Sequence, residues 1–544
     1  MGLNDMMFPR RILQAPVWTA ALITFCGIAA CRPKEIVVSG SGGSGGTSSG
    51  GNGGASSTGG ASATGGTSSV GGGSGSGGAS SSGGAGGTKS TGGSGGAGGL
   101  GGAGGSGGTG GAGGSGGTGG IGAGGSGGTG GSGGASTTPD AAPPPSRGPT
   151  AGTTGHNFPF PQNREGTRCV YPKLYRNEDV QAAYDQWKND TVTSDGAKGF
   201  RRVKRPKEPG LEVNSTVSEG IGYGMILAVY MDDQALFDDL WQYEQQFLDV
   251  NGLMNWYIKA DGSGLGSNPS GSGAATDADE DMAFALVMAD KQWGGQLKAL
   301  KKNYIDIAKG QIQGVWNNEV YQYKYLKPWP ATDLPAVNLS YFAPAFYKVF
   351  AKVDTTNTSN WNTLTTTMYG VLAASLNSSN GNTTNGLVPA WCDTSGVPNA
   401  GAFGATGGAS PTNYQYDSCR TPFRIGLDYC WTGDTNAQAY VAKTSSFFSG
   451  TVGGATKIVD GYDLNGNPHA QYQTGANAQI QSSAFVGPAG VGAMSNSSYQ
   501  SFVNDAYGVL VTGKALVGGT YYDDSWMVLS LLMMTANFLD YTSI

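Results

Sequence analysis

The sequence predicts an all-α domain at the end of a long flexible tether. Two observations carry that reading. About twelve runs at helical spacing fall between Asp179 and Phe538, and more than half of the 97 glycines fall between Ser39 and Gly134. Ten of the 11 tryptophans lie beyond Gly155, so the segment 155–544 holds the apolar core. That segment is long enough for one large core or two smaller ones.

In chain order the helical runs are Asp179–Lys188, Tyr223–Met231, Gln234–Asp249, Asp281–Trp293, Leu297–Gly310 and Ser340–Val353. They continue with Trp361–Leu376, Arg424–Trp431, Asn436–Phe448, Phe485–Met494, Tyr499–Leu510 and Ser525–Phe538. In Gln234–Asp249, for example, Leu236, Phe237, Leu240, Trp241 and Phe247 share one stripe, the mark of a helix buried on one side. Long connections rich in Gly, Asn, Thr and Pro separate some runs, as at Asp261–Ala275 and Asn377–Asn413. Long ordered loops on a helical scaffold are where ligands usually bind.

Ahead of the domain lies a linker, residues 32–154, which repeats GGSGG, GGAGG and GGTGG units between Ser39 and Gly134 and then carries the Pro-rich PDAAPPPSRGP at Pro139–Pro149. Such a composition buries no apolar surface and spans roughly 50–60 Å as a coil. Residues 1–31 carry the basic pair Arg10–Arg11, an apolar run at Val17–Ile28 and then IAAC ending at Cys31. An apolar run this short is a secretory signal rather than a membrane span. IAAC resembles the lipobox of bacterial lipoproteins, which implies lipidation at Cys31; the alternative is plain signal-peptidase cleavage nearby. The protein is thus expected to be exported, and held at an outer membrane or cell surface by this anchor alone or released.

Export makes disulfides possible among Cys169, Cys392, Cys419 and Cys430, which allow three connectivities. Cys419 and Cys430 flank a turn and a short helical run and are the expected pair, if one forms. No CxxC spacing occurs, which speaks against a cysteine zinc site. The net charge of −6, with no basic cluster after Lys207, makes nucleic acid a poor partner. Only His156 and His469 exist, so most metal-hydrolase constellations are excluded and a Ser/His/Asp triad would depend on His469. Chemistry, if present, falls to carboxylates.

Three carboxylates stand at loop-to-helix junctions beside aromatic residues. Glu219 opens TVSEGIGYGM, where Gly220, Gly222 and Gly224 would each cost a helix roughly 0.5–1 kcal/mol. The helical run is therefore placed from Tyr223, and the glycines are expected to bring the backbone close to a ligand. Asp277 lies in AATDADEDMAFALVMADKQW; its bland reading is a helix capped by Thr276 or Asp277, with acids at the positive dipole end. A calcium loop fails there, because Met282 and Met288 stand where glycine and glutamate are needed. Asp417 lies in YQYDSCRTPFRIGLDYCW, and its bland reading is a cap salt-bridged to Arg420.

Taken together, SEGIGYGMILAVYMDDQALFDDLWQY, NGLMNWYI, GAATDADEDMAFALVMADKQWG, SYFAPAFYKVF, GLVPAWC and YDSCRTPFRIGLDYCW resemble glycoside hydrolase family 8, above all its bacterial endo-β-1,4-glucanases. Order and spacing hold from about Glu178 to the C-terminus. The resemblance implies an (α/α)6 barrel and hydrolysis of β-1,4-linked polysaccharide with inversion at the anomeric carbon. It makes Glu219 the general acid, Asp417 the general base and Asp277 a residue gripping the sugar beside the scissile bond. Tyr341 would hold the attacking water, Trp256 and Tyr416 would line the cleft, and Arg420 and Trp391 join the expected substrate-binding residues. No metal or cofactor is implied, the partner is the polysaccharide, and a monomer is expected.

An inverting pair needs about 6.5–9.5 Å between acid and base to admit a water, and a poorly solvated glutamate keeps its proton. Departures from the family pattern occur in LKPWPATDLPAVNL, at Phe346 and in the NWY of Asn255–Tyr257. They touch substrate subsites, so cellulose or a related β-glucan is expected ahead of xylan or chitosan. Two rivals remain: a non-catalytic carbohydrate-binding surface lipoprotein, which would not require both Glu219 and Asp417, and a terpenoid-cyclase-like toroid, whose D-x-D-D motif Asp277–Glu280 misses.

Overall fold

The computed structural model describes residues 156–544 except 208–210, 298–300, 400–410, 470–480 and 514–518. The expected signal segment, Cys31 and the linker to residue 154 lie outside the described residues. Twelve α-helices occur among the described residues: α1 (Asn177–Thr191), α2 (Ser218–Tyr230), α3 (Gln234–Glu244), α4 (Thr276–Trp293), α5 (Tyr304–Glu319) and α6 (Pro344–Val353), then α7 (Thr358–Ser375), α8 (Thr421–Thr432), α9 (Thr435–Ser446), α10 (Ser483–Ala493), α11 (Gln500–Thr512) and α12 (Tyr521–Met534). Strands are two residues long; one pair, Thr216–Val217 with Tyr257–Ile258, abuts the start of α2.

The even-numbered helices form a closed inner ring, α2 to α4 to α6 to α8 to α10 to α12 and back to α2. The odd-numbered helices pack outside them, α3 on α2, α5 on α4, α7 on α6, α9 on α8, α11 on α10 and α1 on α12. This is an (α/α)6 barrel, and residue chemistry explains which helix goes where. Every residue of α2 and of α10 is buried, whereas α1 buries Val180, Ala183, Tyr184, Trp187 and Thr191 on one stripe. A helix apolar all round belongs inside; a one-sided helix belongs on the rim.

The glycines of α2 serve this packing. The helix begins at Ser218, so Glu219 stands in its first turn and the glycines run through its body, contrary to the late start expected from their propensity. A Cβ at Gly222 would lie 3.1 Å from the Ala278 carbonyl oxygen of α4, one at Gly224 2.8 Å from Leu240 of α3, and one at Gly220 3.2 Å from the Tyr521 ring of α12. Close approach to three neighbouring helices outweighs the helix cost, and these positions meet protein rather than a ligand. The start of α4 is corrected likewise: Ala275 is its N-cap, and neither Thr276 nor Asp277 caps it.

Ahead of α1 the chain runs as a strap across the C-terminal ends of the inner helices. Its backbone N–H groups at Asn157, Arg164 and Val170 donate to carbonyls of Gln292, Ala536 and Met494, at the ends of α4, α12 and α10. Helix C-termini leave such carbonyls without intrahelical partners, and the strap supplies them. Cys169 of the strap is disulfide-bonded to Cys430 in the last turn of α8, while Cys392 and Cys419 are free and buried. The expected Cys419–Cys430 pair does not form. Cys419 precedes α8 and Cys430 ends it, which sets them roughly 16 Å apart along the axis, beyond disulfide reach.

Candidate active site

At the opposite end, the N-termini of the inner helices meet, and the candidate residues meet with them. Glu219 and Asp277 occupy the first turns of α2 and α4, Tyr341 lies just before α6, Asp417 and Arg420 lie just before α8, and Tyr521 is the first residue of α12. Helix N-termini carry partial positive charge, a setting that favours carboxylates there.

Arg420 is the hub. Its guanidinium is 1% exposed, and one nitrogen, Nη1, donates to Glu219 Oε1, to Asp277 Oδ2 at 2.7 Å and to the Tyr223 hydroxyl at 3.0 Å. Its Nε donates to Ser340 Oγ at 2.9 Å, and its Cζ lies 5.0 Å from the Tyr341 ring centroid. Arg420, one of the expected substrate-binding residues, thus lies between two carboxylates and pairs with both. It makes no ion pair with Asp417 among the described residues, so the salt-bridged cap does not form.

Glu219 also accepts hydrogen bonds from Tyr223 (2.8 Å to Oε1) and Tyr521 (2.6 Å to Oε2). Burial pushes its pKa up to about 8; the Asp277 charge adds to the rise, and Arg420 and the two tyrosines oppose it. Burial thus outweighs the guanidinium, a direction that favours the protonated carboxyl group. A tyrosine hydroxyl both donates and accepts, so Tyr521 can face either form of the carboxyl group.

Asp417 is held by a separate set. Trp391 Nε1 donates to its Oδ2 at 3.3 Å, and Gln415 Nε2 donates to the same oxygen at 3.1 Å while accepting from the Asp417 backbone N–H at 3.0 Å. Burial raises its pKa, opposed by Arg420, Gln415 and Trp391. Tyr341 lies edge-on to Trp391, with ring centroids 6.0 Å apart, and its buried hydroxyl has no hydrogen-bond partner among the described residues. A buried hydroxyl of that kind is ready to bind a water or a substrate oxygen.

Asp277, 2% exposed, turns its other oxygen to the Ala278 N–H at 3.0 Å. Trp256 stands beside the site through the short strand pair: its carbonyl accepts from the Ser218 N–H at 2.9 Å, and its indole donates to the Ser270 carbonyl at 2.9 Å. The Tyr416 ring packs edge-on against Phe485 and Tyr522, with its hydroxyl 3.4 Å from Asp460. Among the described residues, no group of three or more His, Cys, Asp or Glu side chains is placed to hold a metal ion.

Three residues of this site escaped the sequence reading. Tyr223 was legible, since it stands four after Glu219 and shares its helix face. Gln415, two before Asp417, carried a weaker local signal. Tyr521 carried none, because it reaches Glu219 across 302 positions through the packing of α12 on α2.

Comparison with known proteins agrees with this geometry. The family model described as glycosyl hydrolases family 8 matches residues 158–536. Endoglucanase 2 of Ruminiclostridium josui is 36% identical over 390 residues, covering 70% of this chain and 77% of that protein. Endoglucanase A of Acetivibrio thermocellus is 38% identical over 364 residues, covering 66% and 69%. Among solved structures, the apo β-1,3-1,4-glucanase of Paenibacillus sp. X4 superposes with a TM-score of 0.60 at 30% identity, covering 71% of this chain and 99% of that one. The chain belongs to glycosyl hydrolase family 8 and is a glycoside hydrolase.

Proposed function

We propose that the protein is an exported, lipid-anchored endo-β-1,4-glucanase that cleaves internal bonds of cellulose or a related β-glucan with inversion. The observation that carries the reading is the separation of two buried carboxyl groups into different hydrogen-bond sets. Glu219, held protonated, gives its proton to the glycosidic oxygen as the bond to the anomeric carbon breaks. Asp417, ionised, takes a proton from the water that attacks that carbon from the opposite face. The products are two shorter chains, and proton exchange with solvent restores both residues. Tyr341, with its unpartnered hydroxyl, holds the water; Asp277 grips the sugar beside the scissile bond; Arg420 keeps Glu219 and Asp277 in place without changing charge. The apolar faces of Trp256 and Tyr416 suit the C–H face of a pyranose.

The two endoglucanase relatives support cellulose as the substrate, and the solved glucanase favours mixed-linkage β-1,3-1,4-glucan as a second reading. The signal, IAAC and the tether support export and anchoring at Cys31, with the catalytic domain a monomer at the tether's end. Reducing-sugar release from carboxymethylcellulose, lichenan, xylan and chitosan tests the substrate: fastest release from the first or second is expected. Fastest release from xylan or chitosan would overturn the glucan reading and keep the chemistry.

A further inference from the structure

One helical turn beneath the carboxylates lies a second buried ion pair. Arg424 of α8 donates from Nη1 and Nη2 to Asp281 Oδ1 and Oδ2 of α4, at 2.5 and 2.9 Å, and both side chains are at most 2% exposed. Each partner follows a residue of the upper site by four: Arg424 follows Arg420, and Asp281 follows Asp277. The two pairs are therefore consecutive rungs between the same two helix faces. In the inner ring α6 lies between α4 and α8, so both rungs cross the interior of the barrel.

The lower rung is tightly seated. The Arg424 Cζ lies 5.2 Å from the Phe346 ring centroid of α6 and 6.0 Å from that of Trp526 on α12. Gly222 of α2 leaves the room Asp281 occupies, since a Cβ there would come within 3.1 Å of the Asp281 Cβ. Glu280 beside it accepts from the Tyr347 hydroxyl of α6 at 2.7 Å. The charged and titratable groups around the pair are thus Asp277 and Glu280 on α4, Arg420 at the N-cap of α8, Tyr223 on α2, and Tyr347 on α6.

A buried ion pair contributes little net stability compared with apolar residues of the same volume; its attested use is to fix register. We propose that Arg424 and Asp281 are positioning residues for the reaction, holding α4 and α8 in the register that lets the single Nη1 of Arg420 reach both Glu219 and Asp277. The two-pronged geometry matters because a lysine supplies the charge but cannot make two parallel bonds. A slip of about 1 Å at the upper rung is enough to cost about 10²-fold in rate.

The inference rests on the reading of Glu219 as general acid, and its test separates the two. In the full chain, Arg424→Lys keeps the charge. Its kcat on the glucan that the wild type cleaves fastest is expected to fall about 10–100-fold, with KM little changed, an unshifted pH profile and cooperative melting. Asp281→Asn leaves a guanidinium uncompensated, and both limbs of the pH–rate profile are expected to move to lower pH, because added positive charge favours ionised Glu219 and Asp417. A wild-type kcat in Arg424→Lys reduces the pair to scaffold and overturns the proposal, whatever the profile of Asp281→Asn. Should either variant not fold, Arg424→Met combined with Asp281→Leu removes both charges, and a wild-type kcat there overturns it equally. A wild-type profile with no alkaline limb speaks against Glu219 as acid and leaves the Arg424→Lys comparison standing.

Discussion

The two ends of the barrel are built by the same six inner helices and are chemically opposite. At the base, helix carbonyls accept from the N–H groups of the strap, and the Cys169–Cys430 disulfide ties that strap down. At the mouth, helix N-termini surround Glu219, Asp277 and Asp417, and the buried Tyr341 hydroxyl has no partner among the described residues. At the base the strap supplies donors to carbonyls that the helix ends leave over, whereas at the mouth the Tyr341 hydroxyl is left for what binds there. The barrel thus separates stability from chemistry by the direction of its helices.

Attacking the mouth has the largest expected effect. Glu219→Gln and Asp417→Asn should each lower kcat by about 10²–10⁴-fold with the fold intact. The loss in Glu219→Gln should shrink on aryl glycosides whose leaving group needs no protonation, and the loss in Asp417→Asn should not, because water activation is still missing. Equal rescue of both by an activated leaving group would merge the two roles that the mouth keeps apart.

Changing pH probes the same end more gently. The acid must be protonated and burial raises Glu219 to about 8, so the rate should fall about tenfold per pH unit above that value. The base must be ionised and burial raises Asp417 too, so the acid limb should lie above the ordinary carboxylate range. Steady-state rates across pH 4 to 10 check both limbs; an alkaline limb absent in wild type would detach Glu219 from proton donation.

The base gives the smallest effect on rate. Changing Cys169 and Cys430 together to serine should lower stability by about 2–4 kcal/mol, because the bridge closes a separation of 261 residues, while kcat stays within about twofold. Denaturant titration beside a rate assay measures the pair of quantities. A kcat that falls with stability would mean that base and mouth are not independent.

These two ends were unequally legible in the sequence. All twelve helices answer to predicted runs, since the apolar stripe records burial directly. Their starts at the mouth were misread: Ser218 and Thr276 open α2 and α4 five residues before the predicted starts at Tyr223 and Asp281. Glycine and clustered acid argue against helix locally, and only contacts with neighbouring helices reverse that. The α5 run was misplaced because Leu297, taken as its start, belongs to a short hairpin before Tyr304. The three carboxylates were found by residue type and by family resemblance. Tyr521, the Arg424–Asp281 rung and the Cys169 partner of Cys430 join residues 143 to 302 positions apart, and no local pattern encodes such distances.

The central claim is that Glu219 and Asp417 act as separate acid and base on opposite faces of one bond. Proton NMR of the first minutes of glucan hydrolysis tests it most directly. A single direct displacement by water predicts that the product from a β-linked chain appears first as the α anomer and mutarotates afterwards. Initial β product would require a covalent glycosyl-enzyme and would contradict the assignment of Asp417 as base.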